Sequence, residues 1–584
     1  MRLVTLAVVT LAAGATLGGH ARAGVERPPG VGKPTPGSGI GTAAALDNPK
    51  CNTGEAFGPF GRFDTTTVGG GSEGPVCVKP WPEGAANGGA TSQGVTADRI
   101  KVVFVTPDPR QAANSSAGPK NRVDNSKGTD ADAFHDLLLA RMRWYETWGR
   151  DIEVKFVAST GDDEAAQRAD AVTIKAEKPF AVIGGGDVLD AELAKAKILV
   201  FGPSTTTAKA LAQAPYRWGQ TDAQATAINA GEVIGKQLVN KKAQFAGSED
   251  LGRQTRTFAA VYLENAIDIA GFRGQLRRYG GKLTGAYPYQ GPGSTVGDDA
   301  VAQEAAPVIV TKMKQAGVNN VILFTDVAMT RAVLDNATKQ EWFPEWFMTG
   351  MVYQDFALLA RSYDTQQFAH AFGITNFFPY TLPEPTPPPG QKTNATLADQ
   401  LNWYWGEKRG TENTIASSQL LWLLRGTHAA GPNLTPKTFR QGLFSTPASG
   451  GAASNDPVSF LEGFGKTPGL PYDEYMLLGL DYAPVWWDTE TTGPTQVLGN
   501  EGKGVEWFLN NARRYHAGTW PTKRLQWFDK SASVMQFDTS PTPLPKYAGD
   551  CNDCPSHGGP GQSGTPSPEG FIAKANGSGS VALS

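Results

Sequence analysis

From residue 100 to residue 350, short and almost wholly apolar runs alternate with segments whose apolar residues recur at helical spacing. IKVVFV (100–105) reads as a buried strand, ADAFHDLLLARMRWYETW (131–148) as a helix, IEVKFV (152–157) as a strand and EAAQRADAVTIKAE as a helix. FAVI (180–183) is a strand ending in Gly184-Gly185-Gly186-Asp187, DAELAKAK a short helix, and ILVF (198–201) another buried strand. The alternation continues with ATAINAGEVIGKQLV (helix), TFAAVYL (257–263, strand) and NAIDIAGFRGQLRRYG (helix). NNVILFTD (319–326, strand), VAMTRAVLDNATKQ (helix) and WFMTG (346–350, strand) complete it. Such a pattern predicts an α/β fold of mostly parallel sheets covered by helices on both faces. Sheets of this kind bind ligands beyond the carboxyl ends of their strands, where strand order reverses. After ILVF the chain turns at Gly202-Pro203 into Ser204, Thr205, Thr206 and Thr207 and then reads as a helix. Hydroxyls placed there suit a polar ligand; an ordinary Ser/Thr helix cap explains one or two of them as well.

The two ends of the chain differ from this core. MRLVTLAVVTLAAGATLGGHARAG has a positive start at Arg2, an apolar run over 3–17 and the small-x-small triplet Ala21-Arg22-Ala23. That is the pattern of a secretory signal peptide cleaved near Ala23. The run is short for a membrane span of about 20 apolar residues, and no cysteine at the cleavage site offers a lipid anchor. The mature chain is therefore expected outside the cytoplasm, secreted or associated with the cell envelope. Residues 24–95 are rich in Gly, Pro, Ser and Thr and read as a loop-rich leader, and residues 540–584 read as a flexible tail. Cysteines occur as two local pairs, Cys51 with Cys77 and Cys551 with Cys554. In an oxidising compartment two local disulfides are the simplest pairing. CNDCPSH also puts Cys551, Cys554 and His557 at ligand-like spacing, but a structural zinc site needs a fourth ligand, and no second CxxC or HxxxH exists.

Charge narrows the partners. The 584 residues carry 53 basic and 56 acidic side chains, well mixed, for a formal net charge of −3. Without a basic stripe interleaved with aromatics, nothing favours nucleic acid.

The order of the pieces resembles the type I periplasmic-binding fold, specifically the substrate-binding proteins of the branched-chain amino-acid (Leu/Ile/Val) kind that feed ABC importers. GVTADRIKVVFV is similar to that family's first strand and lead-in, and KPFAVIGGGDVLDAELAKAKILVFGPSTTTAKAL to its successive ligand loops. PYRWGQTDAQATAINAGEVI resembles the crossover into the second lobe, and KMKQAGVNNVILFTDVAMTRAVLDNATKQEWFPEWFMTG a later strand-helix-strand unit of that lobe. SSQLLWLLRGTHAAGPNLTPKTFRQGLF resembles the late helix pair, so the likeness runs over roughly residues 94 to 490. The resemblance implies two lobes, each a mostly parallel sheet flanked by helices, joined by a three-segment hinge and closing on a solute. It places lobe one at 96–216, lobe two at 217–375, more of lobe one with a Pro-rich insertion at 376–470, and a return to lobe two with a C-terminal extension at 471–539.

The resemblance also implies no cofactor, a small-molecule solute, the permease and ATPase of an ABC importer as partners, and a monomer. The ligand loops it picks out supply Thr106, Asp108, Gly185, Gly186, Asp187, Ser204, Thr205 and Thr206 from lobe one. Lobe two supplies Glu264, Asn265, Asp326, Met351 and Tyr353. Two departures from the family pattern stand out. The lobe-two acid that holds an amino acid's ammonium group matches Met351, and the usual aromatic after AAVYL falls near Ile267. A simple free amino acid is thereby disfavoured and a carboxylate, an amide or a larger apolar solute favoured, with Asp326 and Asp355 as acids that would rescue an amine.

Enzyme signatures are weak: there is no HExxH, GFGKT (463–467) has Phe460 where a leading glycine is needed, and GGGD meets Leu189 where a dinucleotide loop needs its third glycine. Alternatives to transport are a sensor module acting through a separate partner and a secreted scaffold with a vestigial cleft. Eight of the fourteen Trp cluster as RWYETW, EWFPEWF, NWYWGE and APVWWD; core filling is the commoner role and ring stacking on a solute the sharper one.

Overall fold

A computed structural model of the chain describes residues 84–106, 130–142, 145–161, 163–202, 206–221, 223–291, 298–377, 417–445, 464–466, 469–478, 481–493, 501–536, 567 and 569–575. The signal segment, the Pro-rich insertion and all four cysteines, Cys51, Cys77, Cys551 and Cys554, lie outside these residues.

The first sheet takes β1 (Arg99–Thr106), β2 (Asp151–Ala158), β3 (Ala181–Ile183), β4 (Leu199–Phe201) and β5 (Arg217–Thr221). The helices between them are α1 (Asp130–Met142), α2 (Glu164–Ala176), α3 (Asp187–Lys195) and α4 (Thr207–Ala212). Its spatial order is β13-β5-β4-β3-β1-β2-β18, with β13 (Met476–Leu478) parallel and β18 (Gly570–Ala573) antiparallel to their neighbours. The continuous apolar runs follow from burial on both faces. Ile100, Val102, Phe104, Ala181, Ile183, Leu199 and Phe201 pack with α1, α12 (Ser417–Ala430) and α13 (Pro436–Ser445). Val103, Val105, Val182, Ile198 and Val200 pack on the other side against α2 and α3.

Lobe two begins with α5 (Ala223–Gln237), α6 (Glu249–Gly252), β6 (Phe258–Leu263), α7 (Ala270–Arg278), β7 (Leu283–Tyr289), α8 (Asp299–Gln315), β8 (Asn320–Phe324), α9 (Val327–Lys339) and β9 (Glu345–Met348). It continues with α10 (Ala357–Ala360), α11 (Thr365–Phe368) and β10 (Ala371–Thr375). The strands β7, β6, β8, β9 and β10 lie side by side and parallel. The sheet is then extended antiparallel by β14 (Asp481–Gly493), β15 (Gly502–Leu509) and β17 (Ser533–Met535), with β16 (Tyr515–His516) pairing to the start of β14. A short hairpin, β11 (Gly465–Lys466) with β12 (Asp473–Glu474), stands apart. The architecture is thus the two-lobed α/β one, both sheets parallel-dominated and helix-covered.

Some boundaries differ from the expected ones. β5 belongs to the first sheet, so the chain leaves lobe one after Thr221 rather than at 216, and β13 keeps it there to Leu478 rather than 470. The helix read over 131–148 ends at Met142. The region read as a tail supplies β18, whose Phe571 lies 4.6 Å from the ring of His135 and 5.8 Å from that of Phe156. Part of the leader docks on lobe one: the buried Arg150 guanidinium donates to the carbonyls of Asn87 (2.8 Å), Gly89 (3.2 Å) and Thr96 (2.7 Å). GFGKT supplies Gly465 and Lys466 to a strand rather than forming a phosphate loop. Trp148, Trp342, Trp346, Trp486 and Trp487 are all buried, in keeping with core filling.

Three passages join the lobes. The first leaves the carboxyl end of β5, and the second leaves the carboxyl end of β10 toward α12. The third leaves the carboxyl end of β13 and enters β14 beside the carboxyl end of β10, where Ala483 pairs with Thr375. The carboxyl ends of both sheets therefore flank the hinge. Arg514, 1% exposed, ties two passages together. It donates to the Asp481 carboxylate at 3.0 Å and to the carbonyls of Asn376 at 3.0 Å and Phe377 at 2.6 Å.

Two substitutions test this packing. Phe571→Ala is expected to lower unfolding free energy by about 3–5 kcal/mol in urea titrations, because a buried ring is lost; a tail without a packing role would give no change. Arg514→Ala leaves Asp481 buried and unpaired and is expected to cost about 3–5 kcal/mol in the same measurement.

Candidate ligand-binding site

Strand order reverses at β1/β3 in the first sheet and at β6/β8 in the second. At the lobe-one switch point Thr106 closes β1, and 184–187 form a tight turn into α3. Gly184 (φ 85°) and Gly185 (φ 113°) adopt backbone conformations that disfavour any side chain, and a Cβ on Gly185 would come within 2.8 Å of Leu189. Gly186 is the N-cap of α3 and has no side chain to cap it. Gln167 on α2 does so instead, its Oε1 accepting the N–H groups of Val188 and Leu189 at 3.1 Å each. Asp187 is held by two cations, Arg217 at 2.5 Å and Lys209 at 2.7 Å. Burial opposes ionisation of Asp187, but these partners outweigh it and hold its pKa below the ordinary value. Thr206 caps α4, accepting the Lys209 N–H at 3.3 Å. Asp108, Ser204 and Thr205 lie outside the described residues.

Beneath both lobe-one loops sits Asp190, fully buried, with neither carboxylate oxygen hydrogen-bonded. A Cβ on Gly202 would collide with it, and one on Gly185 would lie 3.2 Å away, so the carboxyl group is wedged between the ends of β3 and β4. Burial pushes its pKa up to about 8; Arg217 opposes the rise and Asp187 adds to it.

In lobe two, Glu264 and Asn265 are exposed and stitch the turn after β6 to the end of β7. Gln290 donates to Glu264 at 2.8 Å, and Asn265 donates to the Gly291 carbonyl at 2.7 Å. Asp326 is buried and caps α9, accepting the Met329 N–H at 2.9 Å. The carboxyl ends of β8 and β9 are laced by Gln354, which accepts the Thr349 N–H at 2.7 Å and donates to the carbonyls of Leu323 at 3.2 Å and Thr325 at 3.1 Å. Met351 and Ile267, the positions matching the amine-binding acid and the aromatic, both lie in one apolar core. Asp355 is buried below the Gly350 turn.

One part of this edge is apolar and partly open. Val352 (φ 50°) and Tyr353 (φ 57°) follow Gly350 (φ 71°) in the left-handed region. That conformation is a true outlier for a β-branched residue. Tyr353 stands 6.3 Å from Phe356 and 5.9 Å from Phe377, ring centre to ring centre, and Phe356 and Phe377 are also 5.9 Å apart. All three rings are half-buried. Sequence reasoning named only Tyr353; Phe356, Phe377, Arg217, Lys209, Gln167 and Asp190 were missed. Among the described residues no cluster of three or more His, Cys, Asp or Glu suits a metal, and no helix is long and apolar enough to cross a membrane.

Neither a family model nor a curated protein matches this sequence. Solved structures similar to the chain include a solute-binding protein of an ABC transporter from Rhodopseudomonas palustris BisB5 in complex with 3,4-dihydroxybenzoic acid. The two share 14% identity over 65% of this chain and 96% of that one, with a TM-score of 0.38. A fatty acid ABC transporter substrate-binding protein from Thermomonospora curvata is 14% identical, over 74% of this chain and 97% of its own, with a TM-score of 0.41. An ABC transporter substrate-binding protein from Desulfitobacterium hafniense in complex with Leu is 11% identical, over 72% and 99%, with a TM-score of 0.36. The chain is similar to ABC-transporter solute-binding proteins. Its own strand order and three passages are what establish the two-lobed architecture.

The buried acids set a pH dependence. A folded pKa of about 8 for Asp190, against an ordinary value of 3.8, makes the native state bind more protons than the unfolded chain, so stability falls as pH rises through that window. Raising pH from about 6 to about 9 is expected to lower the melting temperature. Asp190→Asn should remove part of that loss, with Glu506, Asp355 and Asp326, whose pKa values burial also raises, contributing to the remainder. Identical pH slopes for wild type and variant would refute the assignment.

Proposed function

We propose that the protein captures a small solute between its two lobes and delivers it to the permease and ATPase of an ABC importer, with no chemistry of its own. The observation that carries this reading is topological: all three passages start from the carboxyl ends of strands, so the two switch points border one hinge. Ligands of open α/β sheets bind at such points, and a clamshell closes only when the ligand contacts both halves differentially. On this reading Thr106, Asp108, Gly185, Gly186, Asp187, Ser204, Thr205 and Thr206 offer the lobe-one wall. Glu264, Asn265, Asp326, Met351 and Tyr353 offer the lobe-two wall. The mature chain works outside the cytoplasm as a monomer after cleavage near Ala23, with Cys51–Cys77 and Cys551–Cys554 disulfides.

The solute we favour is apolar or ring-bearing, a carboxylate or amide in its polar part, rather than a free amino acid. Asp326 is committed to a helix cap, Asp355 lies below the loop, and Met351 is apolar core, so of these lobe-two wall positions only the exposed Glu264, which already accepts from Gln290, carries an acid that could meet an ammonium group. The half-buried Tyr353, Phe356 and Phe377 rings provide the matching surface.

Mass spectrometry of the protein purified under native conditions and then denatured is expected to release an unmodified small molecule. Tyr353→Ala, and Ser204→Ala with Thr205→Ala, are each expected to weaken its retention about tenfold or more, the cost of losing one buried contact of about 1.4 kcal/mol. Retention unchanged in both variants would overturn the site, and a released molecule that is chemically altered would overturn the non-enzymatic reading.

A further inference from the structure

Away from the solute loops, on the outer part of the second sheet, Glu506 of β15 has 0% exposure and no hydrogen bond to either carboxylate oxygen. Gln536 follows β17, donates its backbone N–H to the Glu506 carbonyl at 2.9 Å, and so stands directly across the strand pair from Glu506. Cross-strand partners project from the same face of a sheet. Gln536 is 1% exposed, and its side-chain oxygen and nitrogen are both without partners. The same face carries Thr375, beside which lies Asp355, 0% exposed and with neither carboxylate oxygen in a well-formed hydrogen bond. Helix α10, two residues after Asp355, lies over β15, and the next residue, Arg361, donates to the Gly504 carbonyl at 2.9 Å.

Six orphaned polar atoms on three buried side chains are an expensive arrangement for an apolar interior. After burial, the influence raising the Glu506 pKa is Asp355, and no basic group acts on either acid. Salt bridging is therefore not what compensates them. A hard cation would: carboxylates and an amide carbonyl are the oxygen donors that Ca²⁺ takes, with water completing six to eight ligands.

We propose that Glu506 and Gln536 form a buried binding site for a hard divalent cation, Ca²⁺ by chemistry, with Asp355 supplying the second negative charge. Its two side-chain ligands, Glu506 and Gln536, come from the sheet extension, and only Asp355 belongs to the loop that carries Tyr353.

The test uses the full chain, treated with EDTA and then titrated with CaCl₂ while the melting temperature is followed, together with elemental analysis of the protein as purified. Expected is a saturable rise of about 5 °C or more and about one bound equivalent. In Glu506→Gln the rise should vanish, and in EDTA that variant should melt no lower than wild type, since it removes an uncompensated buried charge. If Glu506→Gln does not fold, Gln536→Leu keeps both acids and is expected to weaken Ca²⁺ binding about tenfold or more. No response to CaCl₂ in the wild type, or an undiminished response in the variant that folds, overturns the site. The first outcome would leave protons as what neutralises the acids. Neither result bears on solute retention, which is read separately.

Discussion

The two lobes depend on one guanidinium. Arg514 is almost wholly buried and spans the end of β10 and the start of β14, the two places where the chain leaves and re-enters lobe two. A planar donor fork suits this task because it meets a carboxylate and several carbonyls at fixed angles, which a lysine could not do. One of those carbonyls belongs to Phe377, whose ring stands with Tyr353 and Phe356. The geometry of the hinge and of the aromatic wall are thus set by the same side chain. The Thr375 hydroxyl reinforces the link by accepting the Phe377 N–H at 2.9 Å.

Polar groups at strand ends have two fates in this molecule. Most are consumed internally: Gln167 and Thr206 cap helices in lobe one, Asp326 caps one in lobe two, and Gln354 laces β8 to β9. Asp187 is neutralised by Lys209 and Arg217. Each such bond removes a donor or acceptor from the list that could meet a ligand, since a buried backbone group left unpaired costs about 1–3 kcal/mol. Among the described residues, what remains toward the hinge is one exposed acid, Glu264, and a surface bounded by rings.

Much of the fold was legible because burial on both faces writes the same signature in every parallel strand. FAVI and ILVF alternate between two cores, so no position is left polar. Asp326 carries a readable cap pattern, an acid immediately before an apolar-periodic helix. Other features are long-range and leave no local trace. GFIA in a Gly/Pro-rich tail is four residues whose strand character comes from the open edge of β2, and the antiparallel β14–β15–β17 extension depends on partners far along the chain. Gln167 caps a helix other than its own, and Arg217 reaches Asp187 from 30 residues away, so neither spacing rule nor composition marks them.

The loop from Gly350 to Tyr353 shows how the fold holds a strained surface in place. Consecutive left-handed conformations at Val352 and Tyr353 cost of order 1–3 kcal/mol each and persist only when the surroundings over-determine them. They are over-determined here. Met351 is anchored in the lobe-two core on one side, and Gln354 is anchored by the ends of β8 and β9 on the other. Gly350 is closed in by Asp355 and by the Thr375 backbone, each 3.2 Å from where its Cβ would stand. With both ends fixed, the two intervening residues have one arrangement, and the Tyr353 ring is presented already ordered. If that ring meets a solute as proposed, its being ordered in advance spares the guest about 0.5–1.5 kcal/mol per immobilised side chain. Under the proposed function, strain held by the fold would thereby be exchanged for affinity.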